Sequence, residues 1–529
     1  MKWSQWFWEV LWGRQHQSQQ GVWIQTSRPA AIDLGFDADE RKLSQETKTR
    51  DSSDDNSSPK NEGDGAGQND DQEQQSQGPQ PVGFWDPRLA GVRTEAFFKW
   101  SVTTSVLFVF IIAVLSLFWG ALSSIDQNTA ALKVYVVDFD GRVAPYDNID
   151  PVVGPIVTQM TAAARQNRVS LGYQIRQPAE FNNDPIQVRQ AVYDFDAWAA
   201  LIVNPNATAL LVSAVQNANT SYDPNGAMQL VYTDSRDDTN WYDFISPLIR
   251  PFLTQVTASV GTQWAQQVLQ NATSNDTLAS NLQQVPQAVS PAVGFSEYNL
   301  RPFYPYTAIP AISVGLIYLI IISFFSFAFY LPIHFKYLKP EGHPPLHFWQ
   351  LTLWRWCSTM LAYFILSLAY SLVSLAFNIN FHGGNPIQSE TLPTIESYGN
   401  PTAFGYGTFP MFWLLNWVGM MALGLACENV AMVVGQPWSA LWLIFWVISN
   451  VTTAFYDIEI EPGFYHWGYA WPLHSIVEAS RMILFDLHPT LGKDFGILIA
   501  WAIVNSAVFP FACYFMRWKS KHHIHEYYR

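Results

Sequence analysis

Ser101–Leu122, SVTTSVLFVFIIAVLSLFWGAL, decides the fold: its 22 residues contain no Asp, Glu, Lys or Arg. At about 1.5 Å per residue, a helix of that length matches the roughly 30 Å hydrocarbon core of a bilayer. Further apolar runs follow at Ala308–Pro332, Trp356–Phe377, Phe409–Val434, Trp438–Phe455 and Phe495–Met516, and only the third of these carries a charge, Glu428. Repetition is the argument: one apolar run can be a buried core helix, but six in one chain, five of them uncharged, predict a membrane protein of six spans.

Composition agrees. Of 529 residues only 14% are charged, against about 25% in soluble domains, while 49% are hydrophobic. The net charge of -14 argues against nucleic acid as a partner. Cys357, Cys427 and Cys513 all lie in apolar runs, so the part outside the membrane has no disulfide to staple it. The start, MKWSQWFWEVLW, is too short and too aromatic for a cleavable signal sequence. Residues 1–13 read as a tryptophan-rich amphipathic segment, either an interfacial anchor on the cytosolic side or a short hydrophobic motif that docks on protein or stays mobile. Residues 37–80, rich in acid, Gln, Ser and Gly, have the composition of a solvated linker.

Orientation follows from cations near the spans. Arg93 and Lys99 precede the first, Lys336, Lys339 and Arg355 separate the second from the third, and Arg517, Lys519 and Lys521 follow the sixth. The loop Asn378–Thr408 has none. The positive-inside rule then places both termini in the cytosol and 123–307 outside. Four sequons, at Asn206, Asn219, Asn271 and Asn275, fall in that segment and predict glycosylation there. Sequons at Asn56 and Asn450 fall in the cytosolic tail and in a span, so the pattern also arises by chance.

The segment outside alternates strand and helix patterns. Ala131–Val137, Ser170–Ile175, Ala199–Val203 and Gln229–Thr233 read as strands, and Val152–Arg165, Ile186–Tyr193, Ala207–Asn217 and Trp241–Gln270 as helices. That order predicts an α/β domain on a largely parallel sheet, inserted between the first and second spans. The full layout is a cytosolic tail at 1–95, a first span at 96–122, the α/β domain at 123–307, a five-helix membrane domain at 308–516 and a basic cytosolic tail at 517–529.

Chemistry is sparse. A phosphate-cradling loop needs Gly-x4-Gly-Lys-Ser/Thr, and the lone Gly492-Lys493 is followed by Asp494, without the upstream glycine. There is no His-Glu-x-x-His and no Cys-x-x-Cys, so no catalytic, cofactor or metal residues are assigned, and the chain reads as no enzyme. His522-His523-Ile524-His525 fits a juxtamembrane tail better than a metal site. The charged run Asp234-Ser235-Arg236-Asp237-Asp238 reads as a solvated turn. Glu428 is either a polar site on a substrate path or a proton-sensitive group, or else a glutamate about two turns from the cytosolic end that snorkels or pairs structurally. Leu473–Leu487 has helical apolar spacing, with His474, Glu478 and Arg481 near one another on its other side. It suits either a re-entrant helix or an amphipathic helix lying on the membrane surface. Glu428, His474, Glu478 and Arg481 are thus the candidate polar membrane site.

The run Glu461-Pro462-Gly463-Phe464-Tyr465-His466-Trp467-Gly468-Tyr469-Ala470-Trp471-Pro472-Leu473-His474, with Arg481 and Phe485 after it, resembles the fungal nitrosoguanidine-resistance membrane proteins. Leu300-Arg301-Pro302-Phe303, Val314–Ile321 and Val134–Gly141 fit the same pattern, and the resemblance covers about 95–520. It implies a fungal plasma-membrane protein linked to toxic-compound resistance and phospholipid asymmetry. The layout also looks like the membrane half of ABC-type exporter permeases, whose ATPase would here be a separate partner. The leading expectation is transport or redistribution of amphipathic compounds or lipids, with membrane lipids, small amphipathic compounds and a second copy of the chain as the other partners to consider. The alternative is a nontransporting scaffold or regulator whose outer domain binds a partner.

Overall fold

A computed structural model describes residues 81–337, 342–381, 394–395, 401–435 and 438–527. The tryptophan-rich start, the acidic linker with Asn56, Lys339 and most of the loop 378–408 lie outside them, as do the side chains of the histidines at 522–525.

Twelve α-helices of eight or more residues and five strands make up most of the regular structure of the described residues. α1 is Ala90–Leu122, and it starts after a short turn whose Asp86 accepts a hydrogen bond from the Arg88 amide. Beside that turn, Arg93 lies over the rings of Phe84 and Trp85. The chain then enters the sheet domain: β1 (Lys133–Asp138), α2 (Val153–Ala164), β2 (Gly172–Arg176), α3 (Pro185–Tyr193), β3 (Ala199–Val203), α4 (Ala207–Asn217), β4 (Met228–Tyr232), α5 (Ser246–Ala272), α6 (Asp276–Gln284) and β5 (Phe295–Asn299). A helix-rich part follows: α7 (Ile317–Phe335), α8 (Phe348–Ala376), α9 (Thr408–Val434), α10 (Trp438–Thr452), α11 (Pro472–Phe485) and α12 (Leu491–Tyr527).

The strand order is β2-β1-β3-β4-β5. β1 runs parallel to β2 and β3, and β4 parallel to β5, but β3 and β4 are antiparallel. The sheet is therefore mixed: three of its four pairings are parallel, as a largely parallel sheet requires, and the β3–β4 pairing is antiparallel. Alternation builds two cores. Val134 and Val136 face a layer containing α2, α4 and α5, whereas Tyr135 and Val137 face α3. β3 is buried along its whole length, as an apolar AALIV strand between two covered faces must be.

Among the described residues five helices are long and apolar enough to cross a membrane, namely α1, α7, α8, α9 and α12. α10, with 15 residues, is shorter. α9 lies at the centre of the bundle and is mostly buried. Its Gly424 is needed for close approach: a Cβ there would collide with the Tyr363 hydroxyl and with Ser323. The run at 308–332 does not form one helix. A short turn at Ile309–Ile312 and another at Val314–Leu316 precede α7, and a Cβ on Gly315 would strike the carbonyl of Pro310. The chain is mostly helical, with a small mixed sheet between α1 and α7.

Candidate functional site: buried charges in the bundle and against the sheet domain

Glu428 sits on α9 with its side chain 2% exposed, and Arg355 of α8 reaches it at 2.7 Å. The Thr359 hydroxyl donates to the other carboxylate oxygen at 3.4 Å. The guanidinium also lies over the Phe509 ring and 3.6 Å from the Cys513 sulfur. The acid is therefore structurally paired. Arg355, counted above with the cytosolic cations, is 2% exposed and spends its charge inside the bundle. That corrects its part in the orientation argument, since a cation neutralised by a buried acid does not report on headgroups. Lys336 remains exposed.

The other three candidates lie elsewhere. Gly419 of α9 abuts Ile476 of α11, nine residues before Glu428 and so roughly 13 Å away along the helix axis. α11 begins with Pro472, and its next amide, of Leu473, donates to Asn450 Oδ1 at 3.1 Å. The chance sequon at Asn450 is thus a buried capping residue. Every residue of α11 except Glu478 is buried, which overturns the alternative of a helix lying on a surface. His474 packs edge-on against the Tyr469 ring.

Arg481 carries the main finding. Its Nη1 lies 3.2 Å from Asp237 and 3.7 Å from Glu478, and its Nη2 lies 3.7 Å from Asp238. Both Asp237 and Arg481 are buried. The run at 234–238 is therefore no solvated turn. It leaves β4, and Asp234 accepts from the Phe303 amide at 2.8 Å and from the Tyr242 hydroxyl at 3.1 Å. Burial pushes the Asp234 and Asp237 carboxyls above their usual range, against the opposing pull of hydrogen bonds at Asp234 and of Arg481 at Asp237.

More charges join this contact. Arg236 lies 3.7 Å from the centre of the Trp198 ring, and the Trp198 indole donates to Glu459 at 3.1 Å. Arg301, 1% exposed, pairs with Asp486 at 3.0 Å, just beyond α11. Tyr193 of α3 donates to the carbonyl of the same Asp486. Asp457 and Glu461 stand nearby. Among the described residues neither oxygen of Glu461 has a hydrogen-bond partner, although the residue is only 3% exposed. Burial pushes Glu461 up to about 9, helped by Asp457, which burial and Glu459 push up to about 7. Sequence reasoning missed Asp237, Asp238, Arg301 and Glu461. Asp237 and Arg481 are 244 positions apart (481 − 237), too far for any periodic signal.

The end of β1 is where an open α/β sheet usually receives an anion, because the chain departs from it in both directions. Here Asp140 fills that place. It accepts from the amides of Val153, Gly154 and Thr208 and from the Thr208 hydroxyl. The N-termini of α2 and α4 are thus already capped by a carboxylate. Thr208 belongs to the Asn206 sequon and is buried, whereas Asn219, Asn271 and Asn275 are exposed. Among the described residues no group of three His, Cys, Asp or Glu side chains could hold a metal ion.

Residues 103–507 match the model of a family described as a protein of unknown function, DUF3533. The chain belongs to that family. It is also 25% identical over 452 residues to the uncharacterized endoplasmic reticulum membrane protein YJR015W of Saccharomyces cerevisiae, covering 82% of this chain and 83% of that one. No solved structure matches. With its apolar helices, this family member is a multipass membrane protein.

Proposed function

We propose that this protein transports or redistributes amphipathic compounds or lipids within its membrane, and so contributes to toxic-compound resistance and phospholipid asymmetry. One observation carries the reading: Arg481, on a helix buried against the bundle, is ion-paired with Asp237 of the sheet domain. A buried charge pair joins two bodies so that a shift of one is felt by the other, which is what moving a solute past a bundle requires. In this reading six helices span the membrane, with α10 as the shortest. Both termini are cytosolic, the sheet domain is glycosylated outside, and the plasma membrane is the home of the protein. The related yeast protein is named for the endoplasmic reticulum, so localisation belongs in any test. The chain acts as no enzyme, and an ATPase, if used, comes from a separate chain. The resemblance to the nitrosoguanidine-resistance proteins supports the substrate class.

A second reading is a nontransporting scaffold or regulator. The saturation of Glu428 by Arg355 and Thr359 favours it, because a fully paired acid offers a solute nothing. Cells lacking the protein, and cells carrying Glu428→Gln at normal abundance, decide between the two. Leaflet distribution of a labelled phospholipid and tolerance to toxic compounds are the readouts. Transport predicts that deletion changes at least one of them; an unchanged deletion strain refutes it. If deletion matters and Glu428→Gln does not, the scaffold reading gains.

A further inference from the structure

A cleft of about 440 Å³ opens in the sheet domain between the end of α2, the start of β2 and the first turns of α5. That is the size of a small-ligand site. Met160, Leu171, Leu248 and Phe252 supply its apolar wall, and among the described residues no Asp, Glu, Lys, Arg or His lines it. Tyr173 is the exception to the apolar wall that matters. Its residue is only 4% exposed and its ring packs 4.9 Å from Phe252, yet its hydroxyl makes no hydrogen bond with any described residue. A phenol in the wall of a cleft, with its hydroxyl not sealed from solvent, is free to bond to a molecule that enters the cleft. Asn167 and Gln255 add polar groups to the same lining.

Position narrows the ligand. Thr129, seven residues beyond the end of α1, donates to the carbonyl of Ser170 in the cleft wall at 3.1 Å, and the Gly172 amide donates to Leu132 at 3.0 Å. The wall is therefore tied to the chain leaving an apolar helix, so the cleft lies a short distance from the end of that helix. We propose that this cleft binds the alkyl part of an uncharged single-chain amphipath, whose hydroxyl or carbonyl bonds to Tyr173. The volume suits one chain, and a lining without charge disfavours an ionic headgroup. The site goes beyond the function proposed above, since a transporter and a regulator could each use it.

The test uses the full-length protein in lipid nanodiscs with a photoreactive hexadecanol, followed by mass spectrometry of the labelled peptides. Label is expected on peptides containing Tyr173 and Phe252. Ala163→Trp, which fills the cleft from an exposed lining position, is expected to abolish that label. Tyr173→Phe keeps the ring and is expected to lower it roughly threefold to tenfold, the worth of one hydrogen bond. Unchanged tryptophan fluorescence melting shows that both variants fold. The proposal is overturned if the label misses these peptides, if Ala163→Trp leaves it unchanged, or if a phospholipid with a photoreactive acyl chain labels the cleft and the alcohol does not.

Discussion

The Arg355–Glu428 pair shows how a charge persists among apolar helices. Each side chain is at most 3% exposed, so neither charge is hydrated, and each is stabilised mainly by the other. Removing one partner leaves an uncompensated charge, which costs about 3–5 kcal/mol. Glu428→Leu or Arg355→Met alone is therefore expected to lower the melting temperature in detergent strongly. The double variant, with both charges gone, is expected to recover most of the loss. Additive losses would mean that the two residues act separately. The sequence exposed Glu428 because an acid in an apolar run stands out, but it hid the partner. Arg355 lies at a span end, where cations are expected for another reason.

At the scale of elements, the loop between α10 and α11 concentrates acids against the sheet domain. Asp457, Glu459 and Glu461 all lie within five residues, and Asn128 bonds to the carbonyl between the last two at 3.0 Å. Glu461 is raised from its ordinary 4.5 to about 9, so folding favours its protonated form. The stability this contributes is fully present below about pH 4.5, declines as pH rises, and is gone above about pH 9. Asp457 acts in the same direction over the lower window from 3.8 to about 7. Melting temperature is expected to fall as pH is raised from about 5 to about 9, and Glu461→Gln, which cannot ionise, should flatten most of that slope. An equal slope in the variant would assign the effect to other groups.

The same scale explains what the sequence reveals. β3 and α4 fall where their patterns place them, Ala199–Val203 and Ala207–Asn217, because a short apolar run and an amphipathic period are local signals. β5, FSEYN, escapes notice because it has no β-branched residue and its strand is only partly buried. The break before α7 was hidden in an apolar run, since Pro310 and Gly315 interrupt a helix without changing its hydropathy. Burial of 234–238 could not be read at all. A run of acids looks solvated until the fold brings Arg481 to it.

For the whole molecule, the account rests on the sheet domain and the helix bundle being joined through Arg481 and Asp237. The most direct measurement is a charge exchange in cells, with phospholipid leaflet distribution and toxic-compound tolerance read at matched protein abundance. Asp237→Arg and Arg481→Asp alone should each behave as the deletion, because each places like charges together in a buried site. The double variant restores opposite charges and is predicted to regain at least part of both readouts. Single variants with full activity, or a double variant no better than either single one, would contradict the claim that this pair couples the two parts.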